Sequence, residues 1–327
     1  MIILGIECTA HTFGVAIVKD NNILSNEKHT FTTEKGGMIP NEVADHHKKY
    51  KEIIFKQALE KANIKEEQVN LITFSNAPGL APSLLVGRDF AKELAIKLKK
   101  PVIGVNHIVA HLEIGLLTTQ AKDPIFVFIS GANTQIIAHE GNKYRVFGEA
   151  LSIAIGNAFD KLARSLDLGF PGGPKIEQLA KKSTNYIELP YSVKGMDVDY
   201  SGLVTKATQL YKKGAKKEDI CFSFQETAFA MLAEVTERAL AHCEKKEILL
   251  IGGVAANKRF SEMMNIMAKA RKAKSYTVPL EYAGDNAAMI AYTGYLQYKT
   301  NKEEPIEPEE LEIYPRQRID EIETFWK

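Results

Sequence analysis

The chain has 327 residues, 45% hydrophobic and 25% charged, a balance that excludes a disordered chain and leaves room for two domains of ordinary size. Its 42 basic and 41 acidic residues leave a formal charge of +1, which excludes a broad basic coat and confines any RNA contact to local patches. Cys8, Cys221 and Cys243 are too scattered for a disulfide framework or a zinc knuckle, and no stretch approaches the roughly 20 apolar residues of a membrane span, so a reducing, cytoplasmic setting with no membrane partner is expected.

In chain order, Ile2–Ile6 reads as a strand running into the polar turn Glu7–Thr12. A second strand, Phe13–Val18, turns at Asp20-Asn21-Asn22 into a third from Ile23. Residues Glu42–Asn63 carry Val43, Tyr50, Ile53, Ile54, Ala58 and Leu59 at helical spacing. The buried strand Leu71–Phe74 follows, with Ser75-Asn76-Ala77-Pro78-Gly79 after it. Strand Val102–Val105 then meets Asn106, a good N-cap, and a helix that opens on His107 and His111.

From Pro124 the opening pattern returns. Ile125–Ile129 is a strand, Ser130-Gly131-Ala132-Asn133-Thr134 a turn, Gln135–His139 a strand, and Glu140-Gly141-Asn142 turns into Tyr144–Phe147. A helix over Phe222–Cys243 (Phe224, Ala228, Met231, Leu232, Val235 and Leu240) precedes strand Ile248–Ile251 and the small-residue run Gly252–Asn257. The charged tail 301–327 is expected to return over the surface of the first half. Two such halves predict an α/β chain with a duplicated actin-like ATPase (ASKHA, RNase H-like) fold, two lobes around a central cleft. Residues 1–120, completed by about 290–327, would form the first lobe and 121–289 the second.

The chemistry-bearing residues cluster in a few places. His107 and His111 are four apart, so both imidazoles share one helix face and can aim at one ion; the same spacing is also common among ordinary core and surface histidines. A zinc-protease reading needs glutamate directly after the first histidine, and that position is Ile108. Asp285 opens a helical stretch as a plain N-cap or as a carboxylate completing a His/His/Asp set, which suits iron or zinc. The turn Ser130–Thr134 has small side chains that let backbone amides approach a phosphate. Pro171-Gly172-Gly173-Pro174, followed by Glu177, is a rigid turn into a helix. Asp160 reads as a helix-surface carboxylate or a nucleotide-side ligand, and Asn257 stands where a purine or ribose can rest.

The ordered set Gly5-Ile6-Glu7, His107-x-x-x-His111, Ser130-Gly131-x-Asn133-Thr134-Gln135, Gly156-Asn157-x-x-Asp160, Phe170-Pro171-Gly172-Gly173-Pro174, Lys194-Gly195-Met196-Asp197, Ser201-Gly202-Leu203, Gly252–Asn257 and Asp285-Asn286 spans nearly the whole chain. It closely resembles the universal tRNA threonylcarbamoyladenosine synthesis family, and within it the catalytic subunit of the archaeal and eukaryotic KEOPS complex, counterpart of bacterial TsaD. The resemblance implies His107, His111 and Asp285 as catalytic metal ligands, with iron favoured and zinc the alternative. It implies ATP or threonylcarbamoyl-adenylate bound on Phe128, Ile129, Ser130, Gly131, Ala132 and Asn133, with the nucleoside near Asp160, Gly173, Glu177 and Asn257. The implied reaction moves a threonylcarbamoyl group onto the N6 amine of the adenosine 3′ of the tRNA anticodon, releasing AMP. Implied partners are the tRNA anticodon stem-loop, a small kinase-like protein, a small dimerising protein and a further accessory protein.

Three departures from the family pattern stand out. Phe128 replaces a tyrosine whose phenol oxygen joins the metal, Ala132 and Ala287 replace glycines, and Asn76-Ala77 replaces Gln-Gly. Where those glycines take positive φ, alanine costs about 1 kcal/mol or more. Lys48-Lys49-Lys51, Lys97-Lys99-Lys100 and Lys269-Arg271-Lys272-Lys274 are expected as solvated faces or tRNA footing. His46 and His47 match a family motif and are expected to be exposed or at an interface, and Cys8 and His11 to line the site without binding metal. A small-molecule kinase and a non-catalytic scaffold on the same fold are the rival readings.

Overall fold

The computed structural model describes residues 1–33, 39–300 and 305–327. The elements run β1 (Ile2–Glu7), β2 (Thr12–Lys19), β3 (Asn22–Thr30), α1 (Pro40–Ala62), β4 (Leu71–Ala77), α2 (Ala81–Leu98), β5 (Val102–Asn106) and α3 (His107–Thr118). Next come β6 (Ile125–Ile129), β7 (Thr134–Glu140), β8 (Lys143–Glu149), α4 (Ile155–Ser165), α5 (Gly172–Ala180), β9 (Val193–Lys194), β10 (Asp197–Val198), α6 (Ser201–Lys212) and α7 (Lys217–His242). The last are β11 (Glu247–Ile251), α8 (Lys258–Ala270), β12 (Lys274–Thr277), α9 (Leu280–Ala283) and α10 (Ala287–Lys299). Two compact units result: residues 1–117, 141–144 and 285–327, and residues 118–140 with 145–284.

The first unit is built on a sheet ordered β3-β2-β1-β4-β5, antiparallel from β3 to β1 and parallel from β1 to β5. The second unit's sheet has the order β8-β7-β6-β11-β12, with β6 antiparallel to β7 and parallel to β11, and β11 parallel to β12. The same path through the strands is taken twice, as the repeated strand–turn–strand patterns predict. The chain is a mixed α/β protein with a duplicated actin-like ATPase topology. No helix among the described residues is long and apolar enough to cross a membrane.

Alternation along β1 places its chemistry. Leu4 and Ile6 join a buried cluster with Phe13, Val15, Phe55, Phe74 and Phe90, where each large apolar side chain contributes roughly 1.5–3 kcal/mol. Gly5 and Glu7 point to the opposite face, where α10 packs. That approach requires Gly5: a Cβ there would stand 2.4 Å from the Ala287 carbonyl oxygen and 2.7 Å from the Ala291 nitrogen. Gly5→Ala should therefore push α10 off the sheet and destabilise the protein by about 1–3 kcal/mol, read from the shift in urea midpoint. An unchanged midpoint would show that α10 can yield without cost.

The described part of the tail joins the first unit. Ile306 bridges Val102, the Tyr314 amide donates to the Asn76 carbonyl oxygen at 2.8 Å, and the Thr324 amide donates to the Asn142 carbonyl oxygen at 2.9 Å. The remainder of the expected surface return, residues 301–304, lies outside the described residues. In the second unit, Ile125, Val127 and Ile129 of β6 pack with Phe224, Phe229 and Phe260.

Candidate functional site

The first unit brings three donors together at the ends of its elements. Asn106 caps α3, its side-chain oxygen accepting from the amides of Ile108 at 3.0 Å and Val109 at 3.2 Å, so α3 starts with His107 fixed in its first turn. His111 lies one turn on, its ring centroid 4.6 Å from that of His107 at an interplanar angle of 87°. Asp285 precedes α10. The N-cap of that helix is Asn286, whose side chain accepts from the Met289 amide at 3.1 Å, so the capping alternative for Asp285 is corrected and its carboxylate is left for other work. Asp285 Oδ1 lies 3.5 Å from His107 Nε2 and 3.4 Å from His111 Nε2. One ligand atom from each of the three residues lies within 4.8 Å of the others, the single such group of three or more among the described residues.

Behind the donors stands Glu7, completely buried at the end of β1. Its Oε2 lies 3.0 Å from His107 Nδ1, and its Oε1 accepts from the Thr9 amide at 2.8 Å and the Thr9 hydroxyl at 2.5 Å. A carboxylate on the far nitrogen of a ligating imidazole fixes the tautomer that presents Nε2 to a metal. In the sequence Glu7 stands only as a charged residue ending an apolar strand and as part of the Gly5-Ile6-Glu7 motif, with no role of its own. His11 Nδ1 lies 3.7 Å from Asp285 Oδ2, and Lys28 donates to the Asp285 carbonyl oxygen at 3.1 Å. Cys8 is buried and its thiol donates to the Ser83 carbonyl oxygen; burial, then the Glu7 charge, push it well above the usual thiol range, so it is not a reactive group.

The electrostatics suit a cation. Burial opposes charge on His107, but Glu7 and then Asp285 overcome it and raise its pKa to about 9. Burial lowers His111, keeping that imidazole neutral. Burial also works against the Asp285 carboxylate, yet the His111 hydrogen bond and the adjacent histidines hold it well below the usual range. Two carboxyl groups, Glu7 and Asp285, thus converge on two buried imidazoles, an arrangement that suits a divalent ion.

The other expected residues lie in the second unit. Phe128 and Ile129 are buried in β6, and Phe128 offers no oxygen. The Ser130–Asn133 turn is closed by the Ser130 amide on the Asn133 carbonyl oxygen at 2.8 Å and by the Asn133 amide on the Ser130 hydroxyl at 3.1 Å. The amides of Gly131 and Ala132 have no such partner among the described residues. Neither Ala132 nor Ala287 is among the residues with positive φ, so the strain considered for alanine at those positions does not arise. Gly252, by contrast, has φ 96° and a Cβ there would lie 2.2 Å from the Ile129 carbonyl oxygen, so only glycine fits. Asp160 on α4 accepts from the Gly172 amide at 2.7 Å, which ties α4 to the start of α5; burial raises its pKa. Gly173 is open, with nothing within 4 Å of a built Cβ, and Glu177, one turn later, pairs with Lys181 at 2.9 Å. Asn257 caps α8 through the Phe260 amide at 3.1 Å and donates to Gln225 at 3.1 Å, so both halves of its amide are already engaged.

Lys48, Lys51, Lys97 and Arg271 are paired with Asp45, Glu93, Glu66 and Glu237, which weakens their runs as free RNA footing. His46 and His47 correct an expectation. His47 is completely buried and His46 half-buried, in a hydrogen-bonded row with His29. Burial, then His47, His29 and Lys49, lower His46 to about 4. A histidine depressed on folding contributes stability above the unfolded value of about 6.5 that is lost as pH falls toward 4. Thermal melts should therefore show a falling Tm across that window, with a shallower fall in His46→Gln; parallel curves would contradict this.

Comparison with known proteins supplies relatives. A family model described as TsaD, tRNA N6-adenosine threonylcarbamoyltransferase, matches residues 21–292. The tRNA N6-adenosine threonylcarbamoyltransferase of Thermococcus kodakarensis is 51% identical over 327 residues, covering all of both chains. A probable bifunctional tRNA threonylcarbamoyladenosine biosynthesis protein of Methanocaldococcus jannaschii is 48% identical over all of this chain and 60% of its own length. Among solved structures, T. kodakarensis HypF aligns with a TM-score of 0.65 at 15% identity, over 91% of this chain and 48% of that one, a likeness of fold alone.

Proposed function

The chain belongs to the tRNA N6-adenosine threonylcarbamoyltransferase family, and we propose that it performs this transfer with His107, His111 and Asp285 holding one divalent metal, iron in preference to zinc. The observation that carries the metal assignment is the convergence of those three donors with Glu7 seated behind His107. Such a metal supplies Lewis-acid polarisation of a carbonyl or phosphate oxygen. Asp285 stays anionic, His111 stays neutral, and Glu7 holds the His107 Nδ1 proton so that Nε2 is the donor. Their retention speaks against a scaffold, and the two histidines have no task in a simple kinase.

The donor substrate is threonylcarbamoyl-adenylate. The adenine N6 nitrogen attacks its carbamoyl carbon, the bond from that carbon to the phosphate oxygen breaks, AMP leaves, and N6 loses one proton. An exocyclic amine is a weak nucleophile, so activating the carbonyl and placing a splayed-out base are the main demands. The Gly131 and Ala132 amides are donors for a nucleotide phosphate, and open Gly173 with Glu177 and Asp160 receives the nucleoside. Asn257 shapes that region as a cap and link. ATP is the alternative occupant. The partners are tRNA through its anticodon stem-loop and, in the cytoplasm, a KEOPS-type assembly with a small kinase-like and a small dimerising protein. A bifunctional relative is consistent with work alongside a second activity.

The test is reconstitution with supplied threonylcarbamoyl-adenylate, tRNA and those partners, with the modified nucleoside read by mass spectrometry. Absence of product with metal-loaded protein would contradict the reading. Protonation adds a further expectation. Because His107 titrates at about 9 and His111 is neutral, metal uptake at pH 7 should release about one proton, and close to none near pH 10. Calorimetry in buffers of different ionisation enthalpy measures that count; zero at pH 7 would show His107 already neutral.

A further inference from the structure

Three histidines outside the donor set form a row in the first unit. His29 Nδ1 lies 2.7 Å from His46 Nε2, His46 Nδ1 lies 3.0 Å from His47 Nδ1, and His47 Nε2 lies 2.8 Å from the Ala10 carbonyl oxygen. A carbonyl only accepts, so His47 Nε2 carries its hydrogen. His47 Nδ1 must then accept from His46 Nδ1–H, which leaves His46 Nε2 to accept from His29 Nδ1–H. One terminus dictates every tautomer. The rings are also packed: His29 stacks on Tyr50 at 3.7 Å and 10°, and His47 lies 5.8 Å from Phe13. Burial lowers both His46 and His47, which favours the neutral rings that this one-way pattern requires of them.

The row ends on the turn that supports the metal centre. Ala10 follows Glu7 and Thr9, which both reach His107 Nδ1, at 3.0 and 3.2 Å, and precedes His11, 3.7 Å from Asp285. Leu80 and Phe31 hold the neighbouring carbonyls of Thr9 and His11, at 2.8 and 2.7 Å. The Ala10 carbonyl has His47 as its hydrogen-bond partner among the described residues.

We propose that His47, its tautomer fixed by the Ala10 carbonyl and matched by His46 and His29 behind it, is a positioning residue for the metal centre: by holding the Ala10 carbonyl it fixes the turn that aims Glu7, Thr9 and His11. The inference rests on the metal reading of His107, His111 and Asp285. A row serving only packing would tolerate any residue of similar bulk at 47. A positioning row needs an N–H at the place of Nε2, and a glutamine amide can supply one.

The test is Co²⁺ binding to the full chain, followed by visible absorption against a competing chelator. His47→Leu should weaken binding by about 3–10-fold, less than the 10–100-fold typical of a group that touches a ligand directly, and should alter the Co²⁺ absorption bands. His47→Gln should return affinity to within about 2-fold of wild type, and His46→Leu should fall between. Wild-type affinity and spectrum in His47→Leu overturn the proposal, as does equal loss in His47→Leu and His47→Gln. Where His47→Leu does not fold, an unchanged affinity and spectrum in His46→Leu overturns it. A wild-type chain that binds no Co²⁺, or an Asp285→Asn chain that binds it equally well, removes the metal reading and this inference together. Binding that depends on Asp285 but ignores residue 47 removes the inference alone.

Discussion

Asp285→Asn should lower metal affinity by more than about 100-fold and cut threonylcarbamoyl transfer at least as far, while leaving α10 in place. The loss should exceed the 10–100-fold seen when an outer partner is removed, because a charged donor is lost outright. The helix survives because its cap is Asn286, whose side chain holds the Met289 amide and is untouched by the change. Asparagine keeps the shape and one oxygen but not the charge that draws His107 and His111 to within 3.5 Å. Circular dichroism should match wild type as metal stoichiometry falls toward zero. Retained metal with lost activity would assign Asp285 to substrate instead.

Glu7→Gln is the second large effect and acts through His107. With the carboxylate gone, the imidazole loses the partner that orders its tautomer, and metal affinity should fall about 10–100-fold. The metal-free protein gives an independent reading. A histidine raised from about 6.5 to about 9 contributes stability that is complete below 6.5 and lost as pH rises through 9. That shift corresponds to up to about 3 kcal/mol, shared between Glu7 and Asp285. Denaturant titrations should therefore find Glu7→Gln less stable than wild type at pH 6, with the gap narrowing toward pH 10. A gap of the same size at both pH values would mean that Glu7 acts through packing.

The strands that build both sheets were readable because alternating apolar residues and polar turns are local signals. Ile2–Ile6 and Ile125–Ile129 became the first strands of their sheets, and each is followed by the antiparallel partners expected. Asn106 was readable as a cap for the same reason, since its donors lie two and three residues away. Asp285 and Asn286 are adjacent good cappers, and local chemistry does not choose between them; in the fold it is Asn286 that holds the Met289 amide. The partnership of Asp285 with His107 and His111 spans more than half of the chain; the residues alone left it beside plain capping as an alternative, and the family resemblance favoured it.

Glu7 escaped for a related reason. Its role depends on Gly5 and Glu7 facing α10 while β5 delivers α3 on the same side of the site, a consequence of sheet order that no local window holds. The histidine row needs β3 laid against α1, so adjacent His46 and His47 read from sequence as surface residues. Asn257 has a structural part that is equally out of reach of a local window. A polar side chain in a glycine-rich run suggests a ligand contact, and the sequence does not show that its amide also caps α8 through Phe260 and donates to Gln225.

The central claim is that one metal, held by His107, His111 and Asp285, is required for threonylcarbamoyl transfer. The direct measurement is product formation from supplied threonylcarbamoyl-adenylate and tRNA, recorded beside metal content, for wild type, His107→Ala and His111→Ala. The account predicts about one metal per wild-type chain, little or none in either variant, and product falling in step with metal. Full product from a folded, metal-free variant would contradict it.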